Sequence, residues 1–409
     1  MMSGMSITRA GCAALDSADP LRGFRAEFVL PDDVVYMLGN SLGALPRRTI
    51  EAVSHTVTAE WGRDLGQSWN TAGWWDLPEV IGDRIANLIG AGPGTVLTGE
   101  STSVSIFKLM SAAVRLRPGR RTVVVESEGF PTDRYAVQGL AAGFDLNVRD
   151  FGPEGSLADC LDDDVAVVLL SHVDYRTGAL RDMAADTATA QAAGALVIWD
   201  LCHSTGALPV EVGAADFAVG CTYKYLNGGP GAPAYLYCAP AHLAEAESVL
   251  RGWHGHAAPF AFEADYRPAD GVRRFGAGTP PILSMSALAA SLDLWSKVDI
   301  RSVRAKSVAL TELFIALTEP LGLDLATPRD PAGRGSQISF RHDHGYPIMR
   351  ALLDHGVHGD FRAPDIMRFG FTPLYLRYVD VYDAADTLAE IIGKGIWRDE
   401  RYQRRVTVT

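Results

Sequence analysis

The sequence predicts an α/β protein: a large domain with a mostly parallel sheet between helices, and a smaller α+β C-terminal domain. Two observations carry this. Short, continuously apolar, β-branched runs alternate with segments of helical spacing, as in RTVVVE (121–126), VAVVLLS (165–171) and ALVIWD (195–200). Strands buried on both faces read this way, and intervening helices are what cover the two faces of a parallel sheet. The second observation is size. A chain of 409 residues, 47% of them hydrophobic, is ample for a full core and suggests more than one domain.

Taken in order, residues 21–25 are weakly helical, and VVYMLGNSLGALP (34–46) reads as a short strand, a glycine-rich loop and a proline stop. Residues 47–60 have helical spacing. WGRDLGQSWNTAGWW (61–75) then places four tryptophans in 15 residues, before helical spacing resumes over 78–90. TVLTG (95–99) is a strand, followed by a helix near 103–115. Helices near 131–142 and 181–193 separate the strands named above. FAVGCTYKY and APAYLYCAP (232–240) read as two further strands around a glycine turn. A long helix over 282–298 links the large domain to the small one, where SQISF (336–340) and MRFGF (367–371) are strands and a basic tail ends the chain. The expected division is an N-terminal segment, 1–50, packing with the small domain, a large domain over 51–290, and a small domain over 291–409.

A net charge of −12 and a pI near 5.3 argue against nucleic acid as a partner and for a cytoplasmic protein. The ten histidines are scattered, with no HExxH and no paired Cys–His spacing, so no metal site is expected. The five cysteines (Cys12, Cys160, Cys202, Cys221, Cys238) show no disulfide framework, which fits a reducing compartment. The first residues lack an apolar h-region, so no signal peptide is expected. No run of about 18 apolar residues predicts a membrane span.

The chemistry concentrates in ALVIWDLCHSTGALPVEVGAADFAVGCTYKYLNGGP (195–230). An apolar strand ends on Asp200, His203 follows, and a second apolar run delivers Tyr223 and Lys224 into a glycine-rich turn. An acid at the carboxyl end of a parallel strand points into the crevice where α/β proteins bind ligands. Carboxylate, imidazole and lysine together suit pyridoxal 5'-phosphate: the lysine forms the covalent link, the acid keeps the ring nitrogen protonated, and His203 lies over the ring. Taken singly, each residue has a plainer reading: a surface lysine, an N-cap aspartate, a loop histidine. Thr102 and Ser103 open a helix whose free N–H groups would hold phosphate, or simply cap it. Phe130 could cover the second ring face. Asp133 and Ser171 also lie just past strand ends. Arg368 suits capture of an α-carboxylate, with Arg362 and Arg377 as nearby competitors. The tryptophan segment could line an aromatic pocket or serve core and interface packing.

With these residues in hand, the chain resembles the kynureninases, fold-type-I pyridoxal phosphate enzymes. The resemblance spans about residues 30–390 and rests on LGNSLG (38–43), FPTD (130–133), VDYRTG (173–178), WDLCHSTG (199–206), CTYKYLNGGPG (221–231), GWHGH (252–256), TPPI (279–282) and PLYLRYVDVY (373–382). It implies hydrolysis of the Cβ–Cγ bond of L-kynurenine to anthranilate and L-alanine, within tryptophan degradation and the supply of NAD. Lys224 is then the cofactor lysine and the base for the α-proton, and Asp200 faces the ring nitrogen. Phe130 and His203 face the ring, and Thr102, Ser103 and Tyr223 hold the phosphate. Asp133 and Ser171 match cofactor-contact positions. Tyr223 also moves protons. Arg368 and Ser41 contact substrate. Trp253 and Thr279 come from the partner of a homodimer with shared active sites.

Eukaryotic members that favour 3-hydroxykynurenine typically carry a histidine near Arg63, and asparagines at Thr279 and Ala363. This chain has none of these, which implies a preference for L-kynurenine; another substituted kynurenine in secondary metabolism is the alternative. A cysteine desulfurase would need a nucleophilic cysteine well after the lysine, and the last one is Cys238. An aminotransferase is compatible with the Asp–Lys pair alone. A nucleotide-binding module is disfavoured, because no GxGxxG follows a first strand and no GxxxxGK[ST] occurs.

Overall fold

The computed structural model describes residues 7–152 and 155–405, so the chain's first six residues and the last four of its basic tail lie outside the described residues. The chain divides into two compact units. The larger comprises Arg48–Asp174 and Arg181–Lys297. The smaller takes the described residues up to Arg47, the segment Tyr175–Leu180, and the described residues from Val298 onward.

The larger unit holds seven strands: β1 (Val96–Thr98), β2 (Thr122–Glu126), β3 (Asn147–Phe151), β4 (Val165–Ser171), β5 (Leu196–Asp200), β6 (Phe217–Gly220) and β7 (Tyr235–Cys238). They lie in the order β1-β7-β6-β5-β4-β2-β3. Pairs β3–β2, β2–β4, β4–β5 and β5–β6 are parallel, and β7 runs antiparallel to both β6 and β1. Every residue of β4, β5 and β6 is buried, which is why these runs are apolar without alternation. The edge strand β3, Asn-Val-Arg-Asp-Phe, is half exposed and polar; it has no apolar run, and periodicity does not reveal it.

Helices α1 (Leu77–Leu88), α2 (Thr102–Arg115), α3 (Pro131–Phe144), α4 (Met183–Ala192) and α5 (Ile282–Trp295) belong to the same unit. Their starts are written locally: Ser101 caps α2 at Val104 N–H (3.4 Å), Asp182 caps α4 at Ala185 N–H (3.0 Å), and Pro131 opens α3, where its missing N–H costs nothing. The predicted linking helix, α5, stays with the larger unit, and the division falls between Lys297 and Val298 rather than at 290. The reason is burial: Met285, Leu288, Leu292, Leu294 and Trp295 are all buried.

In the smaller unit, β8 (Asp324–Leu325), β9 (Gln337–Arg341), β10 (Asp360–Arg362) and β11 (Ile366–Gly370) form an antiparallel sheet in the order β8-β9-β11-β10. With it are α6 (Ile300–Thr318), α7 (Gly345–Asp354) and α8 (Tyr378–Gly393). Phe314 of α6 packs on Phe369 and Phe371, with ring centroids at 5.0 and 5.6 Å. The N-terminal helix Arg9–Ala18 is held by two acids. Asp16 accepts the first N–H groups of α8, from Tyr378 (2.7 Å) and Val379 (3.1 Å), and Asp19 pairs with buried Lys306 at 2.6 Å.

Helix α1 meets β1 backbone to backbone at Gly82. A Cβ there would stand 2.0 Å from the Val96 carbonyl oxygen, so the helix must withdraw to admit one. Gly82→Ala is expected to lower stability by about 1–3 kcal/mol despite its better helix propensity, read as a lower denaturant midpoint. An unchanged midpoint would mean that the contact is soft.

Candidate active site

Strands β5 and β6 run parallel, with Asp200 opposite Val219. Both leave the sheet at the same edge. The turn after β5 carries Cys202 and His203, and the bend after β6 carries Tyr223 and Lys224. The two loops meet there: Lys224 Nζ lies 2.9 Å from His203 Nε2. Two nitrogen bases at that distance share one hydrogen bond, so one donates and the other accepts. The ring of Phe130 sits 5.9 Å from the same Nζ and is 42% exposed, leaving flat apolar surface open beside the lysine.

Buried carboxyls gather behind the lysine. Asp200 Oδ1 accepts the Cys202 N–H at 2.8 Å, so the acid does cap its own turn, as the plainer reading held. Its carboxyl also hydrogen-bonds Asp133, from the first turn of α3. Burial first, and the Asp200 charge second, push Asp133 well above the usual carboxylate range, which favours its protonated form. Ser171, at the end of β4, is the register partner of Asp200. Glu126, at the end of β2, was not singled out from sequence. It accepts the Ser171 N–H at 2.7 Å and Arg181 Nε at 2.8 Å, and burial pushes it up against the pull of Arg181. Its signal was available, because RTVVVE ends on an acid just as ALVIWD does.

The helix N-terminus beside this group is α2. Ser101 supplies its cap, so capping consumes neither the Thr102 nor the Ser103 hydroxyl. Thr102 Oγ1 stands 3.8 Å from Cys202 Sγ, which ties the helix start to the Asp200 turn. Tyr223 is half-buried; burial, then the neighbouring Cys221 and Cys202, push its hydroxyl well above the ordinary phenol range. It is therefore a hydroxyl donor and not a phenolate at any working pH.

Trp253 and Thr279 take other neighbours in the larger unit. Trp253 packs against Trp75 (5.5 Å), Trp69 (6.1 Å) and Phe260 (6.1 Å). Thr279 lines a cavity of about 190 Å3 with Glu100 and His254. Three of the four clustered tryptophans, Trp69, Trp74 and Trp75, are in ring contact, and Trp61 is 57% exposed.

Arg368 and Ser41 belong to the smaller unit. Arg368 is buried on β11, gripped by both Asp360 oxygens (2.7 and 2.5 Å), and its Nη1 donates to the Tyr175 carbonyl at 2.6 Å. Arg362, the competitor, holds the same Asp360 at 2.7 Å with its side chain 33% exposed. Asp360 was missed from sequence, although GDFR places it two residues from Arg362. The loop carrying Ser41 lies against β11 through the Leu38–Gly370 bridge, and Asn40 donates to Gln337 at 2.8 Å.

A covered, mostly parallel sheet with a lysine, an imidazole and an acid pair at its carboxyl edge defines the fold-type-I class of pyridoxal phosphate enzymes. The cofactor fits what is here: a partly exposed aromatic side chain beside the lysine, a buried acid pair, and a helix start whose capping is met by Ser101 and not by Thr102 or Ser103. Among known proteins, residues 303–388 match the family model of the kynureninase C-terminal domain. The chain is 48% identical to a kynureninase of Burkholderia pseudomallei and 46% identical to one of Pseudomonas fluorescens, covering 98% of this chain and 100% of each relative. The chain belongs to the kynureninase family. Its fold is shared more widely. A cysteine desulfurase of Thermococcus onnurineus NA1 matches with a TM-score of 0.77 at 19% identity, over 91% of this chain and 98% of that one. A variant of the enzyme C-DES, with glycine covalently linked to its PLP cofactor, matches at 0.77 and 19%, over 89% and 98%.

His172, next to Ser171, is buried with no partner at Nδ1 and packs edge-on to Trp199 at 5.9 Å. Burial lowers it from 6.5 to about 4. The unfolded chain then binds a proton that the native chain refuses, so stability falls as pH drops from 6.5 towards 4, by up to about 3 kcal/mol. His172→Phe should flatten that acid limb in denaturant titrations run across the window. A limb as steep as in the parent would place the effect on other groups.

Proposed function

We propose that this enzyme hydrolyses L-kynurenine, in preference to its 3-hydroxy derivative, to anthranilate and L-alanine in tryptophan degradation. The observation that carries the reading is the Lys224–His203 contact of 2.9 Å beside the Asp133–Asp200 pair. It supplies, in one place, an amine able to exchange its proton and an acid for a ring nitrogen.

Pyridoxal 5'-phosphate, when bound, withdraws electrons from the substrate's α-carbon and so loosens its proton and the bonds beyond. Every other role falls to side chains. Lys224 would hold the cofactor covalently, and its free Nζ would take the α-proton, with His203 as its hydrogen-bond partner. Asp200 would face the ring nitrogen, with Asp133 behind it. Phe130 and His203 would flank the ring. Thr102 and Ser103, at the start of α2, bind phosphate with their hydroxyls, and Ser171 completes the cofactor contacts. The Tyr223 hydroxyl would donate to phosphate and, once water has added to the γ-carbonyl and the Cβ–Cγ bond breaks, would deliver a proton to Cβ, so that anthranilate leaves with the oxygen of that water. Arg368, with Ser41 nearby in the chain fold of the smaller unit, takes the substrate carboxylate as a fork. Trp253 and Thr279 serve a second copy of the chain, in a homodimer. The cytoplasm is the expected location; among the described residues no helix is long and apolar enough to cross a membrane.

Substrate preference follows from what is missing. Arg63 is exposed and engaged with Asp64 at 2.7 Å, and neither Thr279 nor Ala363 is an amide able to grip a ring hydroxyl from both sides. A hydroxyl buried without a full partner costs about 1–3 kcal/mol, or roughly ten-fold and more in kcat/KM. Purified enzyme is expected to release anthranilate with a kcat/KM at least that much higher for L-kynurenine than for 3-hydroxykynurenine. Equal values, or a reversed order, would overturn the preference; no release from either would overturn the reaction.

A further inference from the structure

We propose that Cys202 and Cys221 form an oxidisable dithiol pair, a modification site that closes to a disulfide and disables the neighbouring lysine and acid. The pair is a product of strand register. Asp200 of β5 stands opposite Val219 of β6, and two further residues along each chain bring Cys202 and Cys221 side by side. The sulfurs already face each other's residue. Cys221 N–H donates to Cys202 Sγ at 3.1 Å, and Cys221 Sγ donates to the Cys202 carbonyl at 3.7 Å.

The two thiols are also unlike. Burial raises Cys221, but the hydrogen bond from Cys202 and the Lys224 charge bring it below its ordinary value. The same hydrogen bond, with burial, pushes Cys202 well above its own. Cys221 is thus the more acidic thiol of the two and the better nucleophile, with Cys202 beside it to resolve the oxidised sulfur. Cys202 retains 8% of its surface and Cys221 3%, which restricts the oxidant to one of peroxide size.

The chemistry balances with hydrogen peroxide as the oxidant. Cys221 sulfur attacks one peroxide oxygen, the O–O bond breaks, and the departing hydroxide takes the Cys221 proton and leaves as water, giving a sulfenic acid. Cys202 sulfur then displaces the sulfenic hydroxyl, which takes the Cys202 proton and leaves as a second water, and the S–S bond forms. Two thiols and one peroxide become one disulfide and two waters; a small dithiol reverses the change by exchange.

Closure reaches the site through the backbone. The Cys202 amide is what holds Asp200 Oδ1, and Thr102 touches Cys202 Sγ. Cys221 lies three residues before Lys224. Drawing the sulfurs to bonding distance pulls on the acid, the phosphate helix and the lysine at once.

The test treats the holoenzyme with hydrogen peroxide, digests it without reductant, and follows anthranilate release in parallel. The expected result is a peptide pair joined through Cys202 and Cys221, two hydrogens lighter than the free pair. Most of the activity should be lost and should return with dithiothreitol, while Cys221→Ala, which lacks the attacking sulfur, keeps its own untreated rate under the same peroxide. Activity lost without the linked pair, linkage without loss, or equal inactivation of Cys221→Ala would each overturn the proposal. If Cys221→Ala does not fold, Cys221→Ser takes its place. Peptide mapping of the parent enzyme needs no variant and no substrate, so its failure is distinct from a failure of the substrate assignment.

Discussion

A lysine amine 2.9 Å from an imidazole admits only one proton between them, and the rest of this site is arranged around that constraint. The contact exists because β5 and β6 are parallel, adjacent and in register, so that the loops leaving their carboxyl ends collide. Neither strand ends by chance. Asp200 turns the chain by accepting its own Cys202 amide, and Asn227, with a φ of 57°, and Gly229, at 93°, bend it back after Lys224. A residue without a Cβ is favoured at the second of these. The collision point is therefore rigid on both sides, which is what a covalent lysine needs.

Charge at this edge is rationed. Glu126, Asp133 and Asp200 crowd behind the lysine, and full ionisation of all three would leave buried negative charge without sufficient counter-charge. Two devices prevent it. Arg181 and the Ser171 amide hold Glu126, and burial with the neighbouring Asp200 charge pushes Asp133 well above the usual carboxylate range, towards its protonated form. The desulfurase-like folds show that this sheet architecture is compatible with other chemistry, since at 19% identity they share the fold alone. What separates this chain from them is its 46–48% identity to kynureninases over nearly its whole length.

Much of this was legible in the sequence, for physical reasons that also explain the gaps. Buried strands must be continuously apolar, so VAVVLLS and ALVIWD announce themselves, and chemistry at strand ends is found by reading the next few residues. Strand β3 was not legible, because an edge strand can be polar. Residues 175–180 read as a loop of the large domain, yet Gly178 and Leu180 hydrogen-bond into the smaller unit at Gly335 and Gly333, a long-range pairing that no local pattern encodes. Arg368 was found by type, but its grip by Asp360 and the Tyr175 carbonyl depends on strand pairing between β10 and β11. The cap of that helix is Ser101, one residue before Thr102, and that shift is what spares the Thr102 and Ser103 hydroxyls from capping.

The central claim is that one lysine of five carries the chemistry. The others have other work or other places. Lys108 is buried against Glu100, Lys306 against Asp19, Lys394 pairs with Glu390, and Lys297 is exposed. Borohydride reduction of the holoenzyme, followed by peptide mapping, tests this most directly. The account predicts the reduced cofactor's mass on the peptide containing Lys224 and on no other. The same mass on any other lysine, or a holoenzyme that borohydride leaves unlabelled, would contradict it.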